Sequence, residues 1–285
     1  MKETKRRKID ILVLSDIHLG TYGCHAKELL HYLKTIKPKT VILNGDIIDI
    51  WQFSKRYWPK SHMKLVKHIM GWMSKGTKVW YITGNHDEML RRFVGFKMGS
   101  FRIVNKLVLD LENDKKAWFF HGDVFDVTMQ HSKWLAQLGA TGYDTLILIN
   151  RMANFISEKI FKKGKLSLSK KIKNSVKSAV KFINHFEQTA ADIAISNQYD
   201  YVVCGHIHQP EIREIENEQG KIIYLNSGDW IENLTALEYA NSEWRLYKFD
   251  ENEKAAMKKQ AATDDEPDSN KIFQDMLAEF NSMRN

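Results

Sequence analysis

Aspartates, histidines and one asparagine recur at short spacings in five places. They are Asp16 and His18 in DIH, Asp46 and Asp49 in GDIID, Asn85, His86 and Asp87 in GNHD, His121 in HGD, and His206 and His208 in GHIH. Imidazole, carboxylate and amide are ligands for manganese, iron or zinc rather than for a soft-metal site, and no thiolate accompanies them. Residues two apart on an extended segment point to the same side, so Asp16 and His18 can reach one ion. Taken singly, each motif also has an ordinary role open to it. Asp46 can cap a helix, Asn85 can occupy a left-handed turn, His121 can satisfy a buried carbonyl, and the two histidines of GHIH can simply end a strand.

Each motif follows an apolar run: ILVLS, VILNG, VWYITG, AWFF and VVC. Such runs, alternating with amphipathic stretches near His25 to Ile36 and Met63 to Ser74, predict β-α-β units in a sheet with helices on its faces. Ligands of open α/β sheets bind beyond the carboxyl ends of the strands. Five donor-bearing strand ends would therefore converge on one crevice, and their joint occurrence points to a metal site where no single motif does.

The character changes after AWFFHG. Residues 127–189 are helix-rich and lysine-dense, with no acid in KKGKLSLSKKIKNSVKSAVK, and read as an inserted helical cap. Strand signals return in YVVCG, KIIYLNS, LTALEY and WRLYKF, so residues 1–126 and 190–250 form the α/β core. Residues 251–285 read as a polar linker and a short C-terminal helix, in which Ile272, Phe273, Met276, Leu277 and Phe280 share one face behind a cap at Ser269.

The 285 residues carry a formal net charge of +8, which suits an anionic partner: nucleic acid, an anionic membrane or a phosphorylated substrate. MKETKRRK runs directly into IDILVLS without the apolar core of a signal peptide, and no stretch reaches the roughly 20 apolar residues of a membrane span. The expectation is a soluble or peripheral protein. Cys24 and Cys204 lack the paired spacing of a zinc site or disulfide framework, which fits a reducing cytosol. Cys204, inside an apolar strand, is read as a buried small residue. His25, His31, His62, His68, His131 and His185 receive no functional role.

The blocks D-x-H, G-D-x-x-D, G-N-H-D, H and G-H-x-H, in this order over residues 16–208, resemble the calcineurin-like metallophosphoesterases. The helical insertion, and GHIHQP followed by LNSGDWIEN, are similar to the UDP-2,3-diacylglucosamine diphosphatases of lipid A synthesis over roughly residues 9 to 249. One departure stands out: the best-known members of that subfamily carry arginine where this chain has His86.

The resemblance implies an α/β fold, a β-sandwich flanked by helices, and two divalent ions bridged by Asp46. Asp16, His18 and His208 would complete one site; Asn85, His121 and His206 would complete the other. Manganese is favoured, with iron or zinc as alternatives. His86 would contact the substrate phosphate or protonate the leaving oxygen, with Asp87 fixing its tautomer, while Asp49 would orient a ligand histidine. The NSVK stretch resembles an N-S-x-K segment that contacts substrate in the subfamily, which nominates Asn174 and Lys177. Phe155, Ile156, Ile160, Phe161 and Leu166 would cover acyl chains, with the cap lysines facing anionic phosphates at a membrane surface. The same lysines also suit a plain solvated face. Trp51 and Phe53 are candidates for a wall beside a nucleobase or for the core.

The expected activity is cleavage of UDP-2,3-diacylglucosamine to UMP and 2,3-diacylglucosamine 1-phosphate by a cytoplasmic enzyme peripheral on the inner membrane, with no nucleic-acid partner. A phosphodiesterase or phosphatase for a soluble nucleotide is the second enzyme reading. A non-enzymatic scaffold with a basic patch is disfavoured, since none of the seven metal-binding positions is missing.

Overall fold

The protein is seen as a computed structural model whose described residues are 6–50, 57–125, 170–250, 252–255 and 257, the side chains of 170–182 excepted. The chain divides into two units, Met1–Lys248 and Phe249–Asn285.

The first unit opens with β1 (Arg7–Leu14), α1 (Ala26–Thr35), β2 (Ile36–Asn44), α2 (Lys60–Met73) and β3 (Lys78–Ile82). The C-terminal half of β1 is buried on both faces, which explains its unbroken apolar run. In α1, Leu29, Leu30, Tyr32 and Leu33 are buried, while Glu28 in the first turn and Lys34 in the last complement the helix dipole. The helix ends at Thr35, the chain being extended at Ile36, and Pro38 keeps Lys37 out of the α region in the strand that follows. In α2 the buried Leu65, Ile69 and Trp72 recur at helical spacing.

Next come β4 (Lys97–Met98), β5 (Phe101–Val104), β6 (Lys106–Asp110) and β7 (Lys116–Phe120), then α3 (Lys170–Ser196), β8 (Tyr201–Cys204), β9 (Glu211–Asn217), β10 (Gly220–Asn226), β11 (Thr235–Ala240) and β12 (Glu243–Lys248). They form a seven-stranded sheet in the order β12-β11-β1-β2-β3-β5-β4 and a five-stranded sheet in the order β6-β7-β8-β10-β9. Strands β1, β2, β3 and β5 are parallel to one another, as are β7, β8 and β10.

Alternation along the strands builds the layers. Ile11, Val13, Ile42 and Ile82 of the larger sheet meet Leu107, Phe119, Val203 and Leu225 of the smaller one in a shared core. On the other face of the smaller sheet, Val202, Cys204, Ile222 and Tyr224 pack with Phe186, Ala190, Ala191 and Ala194 of α3. The small alanines let the helix approach the sheet closely. Helix α1 packs on β2 and beside α2. The fold is the helix-flanked α/β sandwich that the sequence predicts.

Three features differ from expectation. Strands β4, β5, β6 and β9 are short or charged and carry no clear alternation of their own. The expected cap boundary at 189 falls inside α3, because Phe186 already belongs to the core under that helix. In the second unit, residues 252–255 and 257 are helical where a linker was expected. Asp250 Oδ1 accepts the Glu253 N–H at 2.8 Å and Glu253 Oε2 accepts the Asp250 N–H at 3.3 Å, which is a capping box. Residues 126–169, with the apolar cap positions, lie outside the described residues, as do Trp51, Phe53 and the helix expected at 272–280.

Candidate metal centre

The carboxyl ends of β1, β2, β3, β7 and β8 are laced together by hydrogen bonds. The Asp16 N–H donates to Gly45 O at 3.1 Å and the His18 N–H to Asp46 O at 3.0 Å. Gly205 N–H donates to His121 O at 2.9 Å, and His206 N–H to Asp16 Oδ2 at 3.1 Å. Asp16, His18, Asp46, His206 and His208 all adopt left-handed backbone conformations, with φ between 52° and 68°. Such conformations cost about 1–3 kcal/mol each for residues other than glycine and persist where the surroundings over-determine them. Here they turn five side chains into one cleft.

Three groups of candidate ligand atoms result, each within 4.8 Å of one another: Asp16, His18 and His208; Asp46, His121 and His206; and His18, Asp46 and His86. Asp46 is common to the last two. Its Oδ1 accepts the His86 N–H at 2.8 Å, and its Oδ2 lies 3.2 Å from His121 Nε2 and 4.0 Å from His18 Nε2. The backbone is thinned to allow this. A Cβ on Gly84 would stand 2.2 Å from Asp46 Oδ1, and one on Gly45 would stand 2.3 Å from His121 Nδ1.

His18, His121 and His208 each have a polar group beside the other ring nitrogen. His18 Nδ1 pairs with Asp49 Oδ2 at 3.1 Å, and His121 Nδ1 donates to Asn44 O at 2.8 Å. His208 Nδ1 lies 3.9 Å from Asp229 Oδ2, with its Nε2 3.0 Å from Asp16 Oδ1. His121 and His206 meet edge to face at 5.2 Å between ring centres.

Asp16 Oδ1, His18 Nε2, Asn85 Oδ1 and His121 Nε2 are buried and complete no hydrogen bond. Buried polar atoms nearly always complete a hydrogen bond; here Asp16 Oδ1 and His121 Nε2 have only ion-pair contacts, with His208 and Asp46, and His18 Nε2 and Asn85 Oδ1 have no hydrogen bond, which fits a divalent cation. The imidazole, carboxylate and amide set agrees.

Burial alone would raise Asp16, but facing His208 brings it down to about 2. Asp46, beside His121, and Asp49, bonded to His18 and His86, lie well below the usual carboxylate range despite burial. Against burial, Asp16 lifts His208 to about 9 and Asp46 lifts His121 well above its ordinary value. A protonated imidazole cannot be a ligand, so cation binding here displaces protons.

One expected pairing is corrected. Asp87 does not touch the His86 ring. Its Oδ1 accepts the Gly84 N–H at 2.6 Å, and its Oδ2 accepts the Ile47 N–H at 3.0 Å and the Tyr81 hydroxyl at 2.6 Å. Asp49 holds His86 instead, with Oδ2 at 2.8 Å from Nδ1. Asn174 and Lys177 fall on α3, their side chains outside the described residues.

Several supporting residues escaped the sequence reading. Asp229 Oδ1 accepts the N–H of Ile231 at 2.8 Å in an Asx-type turn beneath His208, a pattern the aspartate of SGDW could have signalled. Ser15 and Ser227 join their hydroxyls at 2.7 Å, and Asn226 donates to Gly205 O at 2.9 Å.

A two-sheet α/β core with this cluster at its strand ends defines a metal-dependent hydrolase. Residues 9–210 match the family model for calcineurin-like phosphoesterases, and the chain belongs to that family, whose members use divalent metals. A protein of Blochmanniella pennsylvanica (strain BPEN) named UDP-2,3-diacylglucosamine hydrolase is 24% identical over 229 residues, covering 76% of this chain and 86% of the relative. A protein of the same name from Aliivibrio fischeri (strain MJ11) is 23% identical over 252 residues, covering 84% and 98%. Among solved structures, an archaeal phosphodiesterase aligns with a TM-score of 0.41 at 14% identity, covering 84% of this chain and 98% of the other.

Proposed function

We propose that this phosphoesterase hydrolyses the pyrophosphate bond of UDP-2,3-diacylglucosamine, giving UMP and 2,3-diacylglucosamine 1-phosphate. The observation that carries the two-ion part of this reading is Asp46, whose Oδ2 stands between His18 and His121. The shared name of the curated relatives supports the substrate. Asp16, His18 and His208 would hold one ion and Asn85, His121 and His206 the other, with manganese the favoured metal. When bound, such a pair supplies positive charge to phosphoryl oxygens and lowers the pKa of water.

The remaining chemistry falls to His86. Asp49 anchors its Nδ1 and, despite burial, raises its proton affinity. The ring thus exchanges its proton through Nε2, at the oxygen that leaves phosphorus. Asn174 and Lys177 are proposed substrate contacts from the cap, at a protein peripheral to the inner membrane. Incubation with manganese and the UDP-linked diacyl sugar should release UMP, and Asp46→Ala should not. Absence of UMP alongside robust cleavage of a simple diester would favour the second reading, a soluble-nucleotide phosphodiesterase, which the histidine at position 86 suits.

A further inference from the structure

The loop that carries Asn85 and His86 runs on into the edge of the larger sheet, and that edge is unusually apolar. Arg92 through Gly99 are eight consecutive exposed residues, in the order RFVGFKMG. Phe93 is 55% exposed, Phe96 46% and Met98 54%, with Met89 beside them in sequence at 53%. This is no frayed loop. Gly95 N–H donates to Ile103 O at 3.0 Å, Ile103 N–H to Phe96 O at 3.1 Å, and Phe96 N–H to Phe93 O at 2.9 Å. The backbone is fixed and the large side chains stand in water, where a soluble monomer rarely keeps them together without a use.

Charge narrows the use. Lys97 of β4 is the direct cross-strand partner of Arg102 of β5, and like charges placed opposite each other destabilise a strand pair. Neither makes an ion pair among the described residues. Both line a shallow cleft of about 200 Å³ with Phe96 and Trp80, over which the Arg102 guanidinium lies at 5.4 Å. Two cations sharing a cleft, with aromatic and thioether side chains beside them and no acid from Arg91 to Arg102, match a phosphate headgroup above acyl chains.

We infer that residues 89–98 and Arg102 form a docking edge for an anionic phospholipid surface, which sets the metal cleft against the membrane. The inference rests on the lipid-linked substrate proposed above, and it assigns the membrane contact to the sheet edge rather than to the cap.

The full chain should co-sediment with phosphatidylcholine vesicles doped with phosphatidylglycerol, and not with phosphatidylcholine alone. Phe93→Ser with Phe96→Ser, and separately Lys97→Glu, should each weaken that binding by on the order of tenfold or more. Both variants should fold with a thermal midpoint no lower than that of the wild type, Lys97→Glu if anything higher because it relieves the repulsion with Arg102, and both should keep wild-type turnover of a soluble chromogenic diester. Wild-type vesicle binding by both variants, or none by the wild type, overturns the inference. So does a wild-type dimer that ignores vesicles and that the same substitutions disperse, which would make the edge a contact between two copies. Because binding is read without substrate, its failure is separate from a failure to release UMP in detergent.

Discussion

Asp46 Oδ2 and His121 Nε2 lie 3.2 Å apart and come from different sheets, the first from the end of β2 and the second from the end of β7. A contact between strand ends of the two sheets is thus also the centre of the candidate site, so the sandwich that buries the core also sets the spacing of the ligands.

Asp49 holds two imidazoles with one oxygen, at 3.1 Å from His18 Nδ1 and 2.8 Å from His86 Nδ1. Asp49→Asn keeps the shape but loses the charge that fixes both rings. The expected loss in kcat/KM is roughly 10–100-fold, with weaker metal affinity by titration and a shifted acidic limb in the pH–rate profile. A profile and affinity matching the wild type would remove Asp49 from this role.

Asp87 ties three donors, two from loops and the Tyr81 hydroxyl from β3, and is fully buried. Asp87→Asn should cost about 2 kcal/mol of stability, because an amide turns donors toward donors. The thermal midpoint should fall well before activity at low temperature does, and the acidic limb should stay in place. A shifted limb would return Asp87 to the proton-transfer role expected from sequence.

Gly84→Ala tests the close approach around Asp46. A Cβ there has 2.2 Å to Asp46 Oδ1, well inside contact distance, so the carboxylate must move. Metal content by mass spectrometry should fall to one ion per chain or fewer, while circular dichroism stays native.

His62 is buried and accepts the Gly20 N–H at Nδ1 over 3.1 Å, and burial lowers its pKa to about 4. The folded chain therefore refuses a proton that the unfolded chain accepts at the ordinary value near 6.5. Its contribution is intact above that value and is lost as the pH falls toward 4, by up to about 3 kcal/mol. His62→Gln keeps an acceptor and cannot titrate. Its urea midpoint should vary less than that of the wild type across this window.

The strands that carry the candidate ligands were legible because parallel strands buried on both faces leave unbroken apolar runs, as in ILVL at 11–14, and because the donors follow them directly. The finer wiring was not. Asp87 adjoins His86 in sequence, but neighbouring side chains in a turn diverge, and the carboxylate that reaches the ring is Asp49, 37 positions away. Asp229 was hidden for a similar reason: its partner His208 belongs to another loop. The strands at 97–104 escaped because two and four residues are too few to show a period. The capping box at Asp250 and Glu253 was visible as D-x-x-E but lay in a segment judged by its polarity.

The most direct measurement is anomalous scattering from a crystal of the full chain grown with manganese. Two peaks about 3.5–4 Å apart, bridged by Asp46 with Asp16, His18 and His208 on one side and Asn85, His121 and His206 on the other, are the predicted result. A cleft without manganese, or a single ion that leaves Asp46 bound to protein groups alone, would contradict it.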